Sequence, residues 1–362
     1  MITIQNHAQL IVSKLVATFK EVIPVRTGFA SVFPEETTGT LDVDISVQRG
    51  TELIAVDVAR FTESTMTKTS RSTEKKFRPP FFNIGYNFLR DEVFMSTVAL
   101  GSTPNKTANK IIAKNAMTNV MENKKMIKRA IRKQQADVLQ TGIVTLKNGD
   151  SIDYRRKAES MVDLGAAAYW SNPDSDILGQ LQKAGRFLRD EGHSSVTTFN
   201  LILRGDALNA LLGNTNEAFK SALDDRRVDR AKVSMPVFNE KTGMAFHGQI
   251  SAGDFNVNIL TYNESYKESE DGERIFYQDR ENAIIIPDDF EGKTVYGALY
   301  DAMETKMDGK KVLAPVLRET DYLIRAHYDK ATISSTIELH SAPLVVPFTI
   351  DRIYTLKVLA DV

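Results

Sequence analysis

Gly292-Lys293-Thr294 is where phosphate chemistry would first be sought in this chain. A phosphate-cradling loop needs a second glycine five residues before the one that precedes the lysine, and that position holds Pro287. Proline has no N–H to offer, so the cradle cannot form. Asp254, Asn256 and Asn258 repeat the opening spacing of a calcium loop. Ile259 then stands where glycine is required and Ser265 where the bidentate glutamate is required, so the segment reads as a strand with a polar face. His7, His193, His247, His327 and His340 are far apart and lack metal-ligand spacing. The adjacent carboxylates Asp224-Asp225 and Asp288-Asp289 point in different directions on any regular element and read as turn or cap residues. No nucleophile elbow and no dinucleotide fingerprint is present. With no cysteine, disulfides, thiolate metal sites and cysteine nucleophiles are excluded together. No residue is assigned a catalytic, cofactor or metal role.

The elements therefore have to explain the chain. At 362 residues it is too long for one small core, and 42% hydrophobic with 26% charged residues is an ordinary globular composition. A formal net charge of -1 conceals strong local asymmetry, so the segments matter more than the total. The run from Leu10 to Phe19, interrupted by Lys14, reads as an amphipathic helix without a cleavage site after it. No segment approaches the roughly 20 apolar residues a membrane span needs, so a soluble protein made in the cytoplasm is expected.

Leu41 to Val47 alternates apolar and polar residues as a half-buried strand does. Leu53-Ile54-Ala55-Val56-Asp57-Val58 and Phe77 to Phe82 read as extended flanks around a polar run. Eight of the fifteen residues from Thr62 to Lys76 are Ser or Thr, which cannot bury enough apolar surface to fold alone. An arm that lies on a neighbour solves that problem. Pro104 opens a helical pattern reaching to about Gln140, with Ile112, Ala113, Ala116, Val120, Ile127, Ala130, Ile131 and Val138 on one stripe. The other faces are basic, and any nucleic-acid contact there would be electrostatic and blind to sequence.

From Asn172 onward, helix and strand alternate. Ile177, Leu181, Ala184 and Leu188 form a helical face, Thr197 to Leu203 is a strand, Asp206 is placed to cap a further helix, and Glu264 to Glu273 is an acidic loop. In the tail, Ile333, Ile337 and Leu339 share a parity and Tyr354, Leu356 and Val358 alternate, with Pro343 and Pro347 expected to separate two strands.

This order of parts resembles the major capsid protein of lambda-type tailed bacteriophages, the phage capsid E family. The residues that carry the likeness are Phe29-Ala30-Ser31-Val32-Phe33-Pro34, Phe77-Arg78-Pro79-Pro80 and the long helix after Pro104. Phe199 to Leu212 with Asp224-Asp225-Arg226-Arg227, and His340-Ser341-Ala342-Pro343-Leu344, extend it nearly end to end.

The resemblance implies an α+β tailed-phage major capsid fold. An N-terminal arm and first strand would fill 1–52, an extended E-loop 53–88, and a P domain 89–173 with its spine helix at about 105–140. An A domain would fill 174–330, and strands returning to the P domain 331–362. It implies a structural protein, with no cofactor and no membrane contact, that assembles with itself into pentamers and hexamers of an icosahedral head around double-stranded DNA. Its other partners would be portal and scaffold proteins and, in some shells, a decoration protein. It would be found in the virion after assembly in the bacterial cytoplasm. No long helical stretch precedes the arm, which points to a separate scaffold. Thr62, Thr65, Lys68, Arg71, Lys75, Lys76, Phe77 and Arg78 would touch neighbouring subunits, and Lys110, Lys114, Lys125, Lys128, Arg129 and Arg132 would face DNA. Lys68, Lys75 and Lys76 also lie where some related shells are cross-linked, although a basic arm tip suits solubility as well. Two other readings stay open: an encapsulin-type shell, and a free, sequence-independent nucleic-acid-binding protein.

Overall fold

The computed structural model describes residues 28–47, 73–88, 104–146, 151–216, 231–269, 271–307, 310–329 and 334–360. The helix expected at Leu10–Phe19, the strand expected at Leu53–Val58 and the Asp224–Arg227 run lie outside these residues.

A seven-stranded mixed sheet occupies the centre. Its order is Met161–Asp163, Tyr354–Lys357, Asn282–Pro287, Thr198–Leu203, Phe255–Tyr262, Met244–Ala252 and Ala231–Asn239. Successive residues of a strand point to opposite faces, and here both faces are apolar. Phe199, Leu201, Leu203, Val257, Ile259, Ala283 and Ile285 join one core with Ile177, Leu181, Ala184 and Leu188. Ile202, Tyr262, Ile284 and Ile286 join the other with Ile127, Ile131, Val138 and Leu139. Each fully buried side chain of this size is worth about 1.5–3 kcal/mol, and the doubled coverage makes this sheet the stable centre.

The helices that cover it are α1 (Pro104–Thr141), α2 (Ile177–Asp190) and α3 (Gly205–Gly213). Proline at the first position of α1 gives up only an N–H that has no partner in the helix. The predicted stripe is the buried one, with Ala116, Val120, Ile127, Ile131 and Val138 closed to solvent. At its C-terminus Arg156 donates to the carbonyls of Leu139 and Gln140, each at 3.1 Å, and so satisfies two orphan acceptors of the last turn. Gly142 follows with φ +72, the left-handed exit that glycine adopts without strain. Asp176 caps α2 by accepting from the Gly179 N–H at 2.9 Å. Asp206 is not the cap expected of it. The N-cap of α3 is Arg204, and Asp206 stands two residues further on in the first turn, its carboxylate 3.4 Å from Arg204 and 3.7 Å from Arg280.

Two three-stranded sheets pack beside α1. In one, Ser334–Ser341 lies between Leu323–Asp329 and Phe82–Phe88. In the other, Gly292–Tyr296 lies between Glu35–Thr37 and Pro343–Pro347. Pro343 and Pro347 lie between the two expected strands, Ser334–Ser341 and Tyr354–Lys357, and also bracket a further strand of their own. This strand is on the edge of its sheet and the prolines are its end residues, positions where a missing N–H costs little. Gly292-Lys293-Thr294 is the middle strand of that sheet and no phosphate loop. A Cβ on Gly292 would fall 2.4 Å from the Phe33 ring.

Candidate functional site

Four hairpins pair only with themselves among the described residues, and the two longest bear on the site. In the first, Val43–Val47 runs antiparallel to Thr73–Phe77 in the register Val43↔Phe77 to Val47↔Thr73. In the second, Leu299–Met307 pairs with Lys310–Arg318 over its whole length. Both rise from one corner. The Thr38 N–H donates to the Tyr296 carbonyl and the Ala298 N–H to the Thr40 carbonyl, both at 2.9 Å. Thr37 Oγ1 donates to Glu319 at 3.0 Å. Gly297 fits against Pro79, whose Cγ would be 3.0 Å from any Cβ placed there. Arg325 reaches the Tyr300 carbonyl and Arg318 pairs with Asp301, which fixes the base of the second hairpin.

A two-stranded ribbon alone in water is at best marginally stable. The second hairpin also holds Tyr300 and Leu317 directly opposite one another while they are 55% and 45% exposed. Such a pair is an unfinished contact.

The expected arm residues divide. Thr62, Thr65, Lys68 and Arg71 lie outside the described residues. Lys75 and Lys76 are on the arm hairpin opposite Ile45 and Asp44, and Arg78 is exposed just after it. Phe77 has a partner within its own subunit. Its ring packs against Tyr154 at 5.9 Å between centroids, beside the α1 core, so it anchors the hairpin to its own subunit. The apolar character that made it look like a contact residue serves the root of the arm.

The basic face of α1 is also less uniform than the sequence suggested. Lys110 and Lys114 are on the helix, with side chains outside the described residues. Lys125 pairs with Glu122 at 2.6 Å, Lys133 with Glu268 at 3.3 Å, and Lys124 lies 4.3 Å above the Tyr322 ring. Burial pushes the Lys124 ammonium below its usual range. Lys128 is half-buried and Arg129 exposed. Arg132, expected to face DNA, is turned into its own subunit. It is 7% exposed, among Tyr262, Tyr277 and Gly28, because the C-terminal half of α1 is enclosed on more sides than one stripe.

Sequence reading missed the polar groups inside that enclosure. Gln135 donates to Thr294 at 3.1 Å, and Gln140 donates to the Tyr277 carbonyl at 3.1 Å while accepting from the Asp279 N–H at 2.8 Å. Burial raises the Asp137 carboxyl to about 6, opposed by Lys133 and reinforced by Asp279. Two distant histidines meet on one carboxylate, His340 at 3.0 Å and His327 at 3.6 Å from Glu338. Antiparallel register brings them together, and only the pairing of Leu323–Asp329 with Ser334–Ser341 reveals it. Asp288 and Asp289 accept hydrogen bonds from Asn200 and Ser194 in a turn that Arg352 closes. Among the described residues no cluster is arranged to hold a metal ion, and no helix is long and apolar enough to cross a membrane.

A helix spanning the molecule, a doubly covered sheet and projecting ribbons define the tailed-phage major capsid fold, and solved structures share it. A protein assigned as a prophage capsid protein of Escherichia coli CFT073 aligns with TM-score 0.59 at 14% identity, over 97% of this chain and 99% of its own. A phage-related protein from Bordetella bronchiseptica RB50 aligns with TM-score 0.51 at 10% identity, over 95% and 96%. The family profile described as phage major capsid protein E matches residues 12–358. The chain belongs to that family of virion structural proteins. A comparison with curated protein sequences finds no match.

Proposed function

We propose that the chain is the repeating subunit of an icosahedral phage head, forming pentamers and hexamers around double-stranded DNA. The observation that carries this reading is the arm hairpin, Val43–Val47 with Thr73–Phe77, whose strands pair with no third strand among the described residues. A neighbouring copy completes it. Head-to-tail contacts of this kind close into rings, and a long arm lets one chain accept the slightly different angles of five-fold and six-fold rings. Many modest arm contacts repeated over a shell resist dissociation together.

In this reading the E-loop begins at Val43, earlier than the sequence-based range 53–88, and Phe82–Phe88 belongs to the P-domain sheet over α1. The A domain is the α2 and α3 side of the central sheet. Lys110, Lys114, Lys125, Lys128 and Arg129 are the remaining candidates for contact with DNA. Portal and scaffold proteins are the expected partners in the host cytoplasm. Electron microscopy of the chain co-expressed with its scaffold tests the proposal. Closed shells of pentamers and hexamers are expected, and a stable monomer with no shells contradicts it. Nuclease-resistant DNA inside particles from infected cells separates a phage head from an encapsulin-type shell, which would hold a cargo enzyme.

A further inference from the structure

Helix α2 buries Ile177, Leu181, Ala184 and Leu188 against one face of the central sheet. Its outer side presents Lys183, Arg186 and Arg189, all exposed, with Asp190 as the carboxylate in the last turn. None of the three cations meets a carboxylate among the described residues. The stripe is on the α2 side of the central sheet and α1 is on the other, so it does not continue the basic surface of α1.

The matching charge is on the other face. Between Asn263 and Arg274 the chain carries Glu264, Glu268, Glu270, Asp271 and Glu273 against Lys267 and Arg274. Tyr266 and Tyr277, at the two ends of this loop, stack at 4.9 Å and pack into the α1 core. Glu268 is held there by Lys133 of α1. Asp271 and Glu273 are left exposed, and no ion pair engages them among the described residues. One sheet face therefore carries unpaired cations and the opposite face unpaired carboxylates, and the sheet between them prevents their meeting within a subunit.

A heterologous contact joins two unlike faces of the same chain, and opposite charge on those faces steers copies into register. We propose that the Lys183–Arg186–Arg189 stripe of one copy docks on the Glu264–Glu273 loop of the next copy in the capsomer. This rests on the capsid reading above and names the surfaces that the ring contact uses. Charge pairs at such a rim set register and association rate more than final affinity, so assembly by this contact slows as salt rises.

Three exposed-surface variants test it: K183E/R186E/R189E, D271K/E273K, and the combined exchange of both. Each lone reversal places like charges face to face and should lower the yield of assembled particles by about tenfold or more. The combined exchange restores opposite charges and should recover yield to within about threefold of the unaltered chain. Lone reversals that assemble normally, or a combined exchange no better than either, overturn the proposal. Carbodiimide cross-linking of unaltered particles gives a check that needs no variant. An amide between Lys183 and Asp271 or Glu273 of different copies is expected, and intersubunit cross-links that never include α2 contradict it. If the unaltered chain forms no particles with its scaffold, the capsid reading itself fails, which is a separate result.

Discussion

In the central sheet Leu201 and Ile285 are cross-strand partners, and both are closed to solvent, with α2 on their side and α1 on the other. In the second hairpin Tyr300 and Leu317 are cross-strand partners too, and about half of each side chain is open to water. The same pairing geometry is complete in one place and unfinished in the other. The arm hairpin belongs with the unfinished group, since its strands also pair with nothing further among the described residues. A chain that folds one sheet to completion and leaves two ribbons projecting from one corner divides its strands between its own stability and its neighbours.

The largest effect should come from removing the arm. Deleting residues 62–72, which leaves Thr73–Phe77 in place, should abolish closed shells while the monomer keeps its urea midpoint. Loss of folding would show that the arm belongs to the core. Next is Ile285→Ala, which opens a cavity inside the doubly covered sheet and should cost about 2–5 kcal/mol in urea unfolding of the monomer.

Asp137→Asn comes third. The folded-state carboxyl titrates at about 6, above its ordinary 3.8, so ionising it opposes folding. Stability is therefore highest below pH 4 as far as this group is concerned, and falls as pH rises to about 6. The substitution should stabilise the monomer by about 1–2 kcal/mol at pH 8, with the gain shrinking as pH falls from 6 to 4. A gain independent of pH would place the effect elsewhere. Smallest is Leu317→Ala, expected to change monomer unfolding by less than about 0.5 kcal/mol because the side chain is already half in water. A loss as large as that of Ile285→Ala would erase the distinction between the two regions.

What could be read from the residues follows the range of the interactions. The long helix was legible because its apolar stripe repeats every turn, and the central strands because Thr197–Leu203 and Ala283–Ile286 are short apolar runs. The inward turn of Arg132 was not, since the residues that enclose it come from Gly28, Tyr262 and Tyr277, far away in sequence. The burial of Gln135 and Gln140 left no signal in the sequence for the same reason. Their partners, Thr294 in a strand and Asp279 in a loop, are far away in sequence. The polar run from Thr62 to Lys76 was legible only as a composition, and most of it lies outside the described residues. The root of the arm was not legible, because Phe77 reads equally as a contact residue or an anchor until Tyr154 is placed beside it.

Hydrogen exchange of the Val43–Val47 and Thr73–Phe77 amides, compared between monomer and assembled shell, tests the division most directly. The account predicts exchange in the monomer at least about a hundredfold faster than at Thr198–Leu203, and strong protection of both segments in the shell. Equal protection of the arm hairpin in monomer and shell would contradict it.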